Sequence, residues 1–112
     1  MALKIYPVSE NFSSENPISE KIVITDNMVV VHFYLKAGQK IPLHTSTSEV
    51  FVTVLKGKGK FYYGEEGKFE TLEEESLFYP SEEPHGFEAE EDMIVQAVIS
   101  PNPKKNIKSN GH

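Results

Sequence analysis

The stretch GQKIPLHTSTSEVFVTVLKG, residues 38–57, has the pattern that decides the fold. A glycine turn precedes a short extended segment that ends at His44, and a polar corner then leads into a strand bounded by Gly57. Side chains of Glu49–Leu55 alternate between two faces, as they do in any strand. Apolar residues occur on both faces, which predicts that both are covered. One face carries Val50, Val52 and Val54, and the other carries Phe51, Thr53 and Leu55.

Short runs of β-branched and aromatic residues recur along the chain, separated by glycine, proline and acidic turns. No stretch longer than about two turns has the 3.6-residue period of a core helix. This pattern predicts an all-β sandwich or barrel. The predicted strands are 22–25, 28–36, 41–44, 49–55, 60–63, 68–72, 77–79, 86–89 and 93–100, with a further edge strand at 3–6.

The chain has 112 residues, which fits one domain. We expect 1–21 to be an N-terminal strand and loop within that domain, 22–100 to be the β-barrel, and 101–112 to be a polar, disordered C-terminal tail. The chain has neither a secretory signal pattern nor an apolar run long enough for a membrane helix. These features predict a cytoplasmic protein.

The formal charge is −6, and the sequence contains no arginine and no cysteine. The missing cysteine excludes disulfides, thiolate metal ligands and cysteine nucleophiles. Arginine is the usual bidentate clamp for carboxylates and phosphates, so its absence argues against highly anionic ligands. The acidic balance argues against nucleic acid and anionic membranes as partners.

A second stretch, LFYPSEEPHGF at 77–87, also places one histidine, His85, beside a predicted strand. Spacing relates the two stretches to a known family. Gly38, His44, Ser46 and Val50, with the glycine at 57, have the spacing of the first cupin motif, whose residues are Gly, His, His, Glu and Gly.

The second cupin motif is matched in spacing around His85. Its residues are Gly, Pro, Gly, His and Asn, and this chain has Glu74, Pro80, Glu82, His85 and Ala89 at those positions. The chain therefore resembles the cupin superfamily over residues 28–99, with several motif residues replaced.

The resemblance implies a jelly-roll β-barrel, a double-stranded β-helix that is often dimeric. Many cupins hold a divalent metal such as zinc, nickel, manganese or iron through three histidines and one glutamate. His44 and His85 match two of those ligands, whereas Ser46 and Val50 replace the other histidine and the glutamate. Half of the implied metal shell is missing, and two histidines with waters would bind zinc, nickel or copper only weakly.

Other side chains were candidates for the missing ligands. Glu49 lies one residue from the glutamate position, but an offset of one residue turns a strand side chain to the opposite face. His32, Tyr34 and Gln96 lie on strands and could face the barrel interior. A histidine such as His32, on a half-buried strand, is more often a hydrogen-bonded interior residue than a ligand.

Three functions follow as hypotheses. The first is a homodimeric cupin that binds a small molecule in its barrel cavity through His44, Ser46, Val50 and His85, with metal at most weakly held by the two histidines. The second is a metal-dependent enzyme of the dioxygenase or isomerase type, which needs one more ligand. The third is a non-catalytic sensor or partner subunit that uses the lysine-rich segment 104–108.

Overall fold

The computed structural model describes residues 1–5 and 9–104. These ranges contain no helix of the length and apolarity that crossing a membrane requires. They contain nine β-strands, and every strand predicted from 22 onward is present within a few residues of its predicted bounds. The strands are β1 Ile18–Ile24, β2 Val29–Leu35, β3 Lys40–His44, β4 Glu49–Lys56, β5 Lys58–Tyr63, β6 Lys68–Glu73, β7 Ser76–Tyr79, β8 His85–Ala89 and β9 Met93–Ser100.

The strands form two sheets in which every neighbouring pair is antiparallel. One sheet has the order β1-β2-β9-β4-β7, and the other has the order β3-β8-β5-β6. The chain passes from the five-stranded to the four-stranded sheet after β2, β4 and β7, and it returns after β3, β6 and β8, so both sheets share one core. The predicted all-β jelly roll is confirmed.

The core lies between the facing surfaces of the two sheets. Val50, Val52 and Val54 of β4 are at most 5% exposed, as the alternation predicts. Opposite them, the rings of Phe61 and Phe87 stack with centroids 5.0 Å apart. Burying apolar side chains of this size stabilises the fold by about 1.5–3 kcal/mol each.

Within residues 1–5 and 9–104, the second face of β4 stays partly exposed, so this part of the chain does not supply the cover that the pattern predicts. Phe51 is 45% exposed and Leu55 is 40% exposed. Alternation identifies which side chains share a face, but it cannot reveal whether any element of the same chain lies over that face.

Both ends of the chain depart from the prediction. β1 begins at Ile18 because its polar residues pair with β2, with Glu20 opposite His32 for example. The composition of residues 18–21 does not predict this pairing. The edge strand predicted at 3–6 is wrong for residues 3–5, which form no strand, and Tyr6 lies outside the described residues.

The first residues of the predicted tail are held against the barrel. Asn102 is only 9% exposed. Its side-chain amide donates to the Thr25 carbonyl at 3.0 Å, and its backbone amide donates to the Asp26 carbonyl at 3.1 Å. The disorder predicted for 101–112 therefore does not apply to 101–104, and residues 105–112 lie outside the described part.

Two glutamates have a backbone conformation that favours glycine. Glu74 has φ 53° and Glu82 has φ 70°, and these are the two positions where the second cupin motif has glycine. The fold thus keeps the left-handed backbone of the motif without the residue that adopts it freely, at a cost of about 1–2 kcal/mol per residue.

Replacing the exposed Glu82 by glycine should relieve this strain. We expect Glu82→Gly to leave the free energy of unfolding unchanged or to raise it by up to about 1 kcal/mol, because the lost strain offsets the greater entropy of an unfolded glycine. Urea denaturation would measure this.

The control is Glu70→Gly, in the exposed middle of β6, where no positive φ occurs. Glycine in a strand interior should lower stability by about 0.5–1 kcal/mol. Equal destabilisation by the two substitutions would contradict the role given to the backbone at Glu82.

Candidate functional site

The structure brings together the two histidines of the distant sequence stretches. His44, at the end of β3, is the register partner of His85, at the start of β8. Their ring centroids lie 4.2 Å apart, with the planes inclined by 59°. The expectation that both project into one cavity matches this geometry.

A close approach between β3 and β8 makes this contact possible. The register shifts between Ile41 and His44, where Pro42 interrupts the edge strand. A Cβ atom added at Gly86 would lie 2.8 Å from the Ile41 carbonyl oxygen and 2.9 Å from the Leu43 nitrogen. These are backbone atoms that cannot move aside, so glycine next to His85 lets the two strands meet.

The loops beside the histidines are tied to each other. The Glu82 amide donates to the Ser46 carbonyl at 2.9 Å. The Ser81 hydroxyl donates to the Thr47 carbonyl at 2.6 Å. Since these bonds join the loop before β4 to the loop before β8, they hold both histidine-bearing segments in one relative position.

A backbone carbonyl fixes the tautomer of each imidazole. His44 Nδ1 lies 2.8 Å from the Pro42 carbonyl oxygen, and His85 Nδ1 lies 2.9 Å from the Glu83 carbonyl oxygen. A carbonyl oxygen can only accept, so each Nδ1 carries the hydrogen and, in the neutral ring, each Nε2 has a free lone pair. Neither Nε2 has a hydrogen-bond partner among the described residues.

The two rings differ in their surroundings. His44 is exposed at the rim, whereas His85 is 7% exposed and packs against the Tyr79 ring, with centroids 5.1 Å apart. Burial lowers the pKa of His85 below its usual 6.5, and the neighbouring His44 lowers it further, while the bond to the Glu83 carbonyl opposes both. His85 therefore stays neutral to a lower pH than an exposed histidine.

The histidines open into a cavity of about 250 Å³ between the sheets. All four residues that the sequence proposed for this site, His44, Ser46, Val50 and His85, line it. The sequence did not propose the remaining lining residues for this site, although four of them, Ile41, Val52, Tyr79 and Phe87, lie within the two motif stretches. The remaining lining residues are Phe33, Ile41, Val52, Tyr79, Phe87, Ala97, Ile99 and Pro103.

Tyr79 is the most informative of the residues that the sequence missed. Its hydroxyl donates to the Tyr62 carbonyl at 3.1 Å, so it is not free for a ligand. Burial raises the pKa of this phenol, and the charge of Glu83 raises it further. The sequence does contain a feature that could have identified Tyr79, because it directly precedes Pro80, which matches the proline of the second cupin motif.

The other candidate ligands lie elsewhere. Glu49 is exposed, while Val50 beside it is 5% exposed and lines the cavity, so the offset of one residue turns Glu49 away. His32 Nε2 donates to the Gln96 side-chain oxygen at 2.9 Å, and the Tyr34 hydroxyl donates to Glu20 at 2.8 Å. β2 carries His32 and Tyr34, and β9 carries Gln96. All three side chains lie on the face opposite the cavity, so none of them can join His44 and His85.

The donor set does not fit a tightly held metal ion. Residues 1–5 and 9–104 contain no group of three or more His, Cys, Asp or Glu side chains placed to bind one. The two Nε2 atoms have the anchored second nitrogen typical of metal ligands, but Ser46 and Val50 add no strong donor.

The motif spacing, the jelly roll and the paired histidines agree with a comparison against family models. The model described as a cupin domain matches residues 31–100. The chain belongs to the cupin family. Cupins often bind divalent metals. None of the curated proteins matches the chain.

Several solved structures share this fold. An RmlC-like cupin protein from Desulfovibrio desulfuricans is 28% identical, with a TM-score of 0.83 over 89% of this chain and 98% of the other. A conserved protein with a double-stranded β-helix domain from Klebsiella pneumoniae is 24% identical, with a TM-score of 0.80 over 89% and 91%. An RmlC-like cupin family protein from Methanocaldococcus jannaschii is 22% identical, with a TM-score of 0.75 over 96% and 98%.

The pKa of His85 provides a direct test of this geometry. In an NMR titration of metal-free protein, the His85 ring should titrate with a midpoint below 6.5, because burial disfavours its charged form. The folded state then binds fewer protons than the unfolded state between the two pKa values, so stability should fall as the pH drops through that window.

His44→Gln provides the control for this titration. Removing the neighbouring charge should move the His85 midpoint upward without restoring it fully, because burial remains the larger cause. A wild-type midpoint at or above 6.5 would contradict the buried position of the ring.

Proposed function

We propose that this cupin binds a small molecule in the cavity between its sheets, with His44 and His85 as its polar anchors. The observation that supports this most directly is the pair of fixed imidazoles, each with an open Nε2, at the wall of an apolar cavity of about 250 Å³. Ligand sites in proteins are typically apolar cavities with a few placed polar groups.

A metal-dependent dioxygenase or isomerase is the less favoured function. It would need at least one further ligand, and Glu49 and His32 both lie away from the histidine pair. The sensor or partner-subunit hypothesis depends on the lysine-rich segment 104–108, of which all but Lys104 lies outside the described residues.

Binding can be tested with a library of fluorinated monocyclic fragments, using fluorine NMR to detect binding. We expect several fragments to bind the wild type and to shift the ring resonances of His44 and His85. Val50→Phe should abolish their binding because the larger side chain fills the cavity. Thr53→Phe, on the opposite face of β4, should have no effect. Fragments that bind both variants equally would place binding outside the cavity.

The same protein should hold transition metals weakly. Titration calorimetry with Zn²⁺ should give micromolar or weaker affinity, and His44→Gln and His85→Gln should each remove it, because each leaves a single imidazole. Near-stoichiometric zinc, nickel, manganese or iron in protein purified without added metal would contradict a two-histidine site.

We propose further that the partner is a second copy of the chain, bound on the outer face of the five-stranded sheet. Register partners on this face form one continuous apolar row. Phe51 is 45% exposed and Phe78 is 51% exposed. The adjacent row starts at Glu20 and His32 and continues through the uncharged Gln96, Thr53 and Ser76. The members of the apolar row are Val23, Val30, Val98, Phe51 and Phe78.

Charge favours a second copy as the occupant of this face. The chain carries a net charge of −6, so two copies repel each other over most of their surfaces. The apolar row contains no charged side chain, and the charge of Glu20 lies at the β1 end of the adjacent row, so the apolar row is where like-charged copies can pack closely. Exposed apolar patches of this kind mark interaction surfaces.

Light scattering coupled to size-exclusion chromatography would test the dimer. We expect wild-type protein to have twice the 12.6 kDa mass of one chain. Phe51→Lys combined with Phe78→Lys should give monomers, because it buries charge in the interface. Phe69→Lys is the matched control, since Phe69 is 47% exposed but lies on the other sheet. A monomeric wild type at micromolar concentration would contradict the proposal.

A further inference from the structure

We infer that the cavity selects an uncharged, single-ring ligand whose hydroxyl or amine group donates a hydrogen bond to the imidazoles, and that it rejects carboxylates. Phenol is the simplest molecule of this class. The inference rests on the proposed function, since it names the chemistry of a ligand for the same cavity.

The open polar atoms of the cavity are acceptors. Both Nδ1 hydrogens are used by the Pro42 and Glu83 carbonyls, which leaves the two Nε2 lone pairs. Ser46 and Tyr79 are the only other polar side chains among the described residues that line the cavity. The Tyr79 hydroxyl is bonded to the Tyr62 carbonyl, and the Ser46 hydroxyl donates, at 3.5 Å, to the Ser48 carbonyl. A ligand that bonds to the imidazoles must therefore supply the hydrogen.

An anionic ligand finds no partner in this cavity. None of the described residues that line it is a lysine, and the sequence contains no arginine. A carboxylate would face imidazole lone pairs and lose its hydration without compensation. A cation would also be buried without a counter-charge, because the lining drawn from residues 1–5 and 9–104 includes no aspartate or glutamate. An uncharged donor avoids both costs.

Size and shape favour one ring. An engineered apolar cavity of about 150 Å³ holds benzene. The volume of about 250 Å³ here leaves room for a ring with a substituent. The lining Phe33 and Phe87 already meet edge to face with centroids 5.4 Å apart, and they offer the same kind of contact to a ligand ring.

Three probes of similar size separate the chemistry. Phenol donates a hydrogen bond, anisole has the same ring but cannot donate, and benzoate is anionic. Titrations followed by NMR would use the intact, EDTA-treated protein at pH 8, where ordinary histidines are neutral and phenols remain protonated. Phenol should bind about 5–10-fold more tightly than anisole, the effect of one net hydrogen bond. Benzoate should show no binding.

Two variants link this preference to the imidazoles. His44→Phe keeps a ring at the cavity rim but removes one acceptor, so the preference for phenol over anisole should shrink towards equality. Glu49→Gln, next to the cavity wall but facing away, should keep the wild-type preference. Backbone amide spectra would show that both variants are folded.

The possible failures are distinguishable. Anisole binding as tightly as phenol, or benzoate binding more tightly, would overturn the donor inference while the cavity remains a binding site. An unchanged preference in both His44→Phe and His85→Phe would overturn it as well, because phenol has one hydrogen to donate and either imidazole can accept it. If neither the three probes nor any fluorinated fragment binds, the proposed function fails together with the inference.

Discussion

The site depends on one edge pairing, in which β3 lies against β8 closely enough for His44 and His85 to meet. Gly86 permits this approach because a Cβ atom there would collide with the backbone of β3. The bonds from Glu82 to Ser46 and from Ser81 to Thr47 then hold the two loops together. A contact between residues 41 positions apart in sequence is thus built from backbone geometry rather than from the histidines themselves.

The replaced motif residues change the chemistry of the cavity without changing the fold. Val50 stays buried in the wall where the family motif has glutamate, so the position supplies packing instead of charge. The imidazoles keep the anchored Nδ1 that orients metal-binding histidines, but too few donors surround them to hold an ion firmly. What remains is a pair of oriented acceptors in an apolar space, which suits hydrogen bonding to a small molecule.

The outer face of the five-stranded sheet shows the limit of pattern reading. The alternation of β4 predicted correctly that Val50, Val52 and Val54 share a buried face. It also suggested a cover for Phe51, which the described residues leave 45% exposed. An exposed apolar strand face and a covered one have the same sequence pattern. The pattern shows which side chains share a face, but it does not show whether another element packs against them. The same reasoning explains β1, whose polar start is a strand only because β2 pairs with it.

The sequence alone determined the all-β class, the strand positions from β2 to β9, the cupin spacing and the two candidate histidines. These follow from local properties, namely period-two alternation, turn residues and intervals along the chain. Only the tertiary structure decided that Glu49 faces away, that His32 pairs with Gln96, that Tyr79 and Pro103 line the cavity, and that both imidazoles present Nε2. Each of these depends on which backbone atoms lie within hydrogen-bonding or packing distance, and such distances arise only when remote strands are paired.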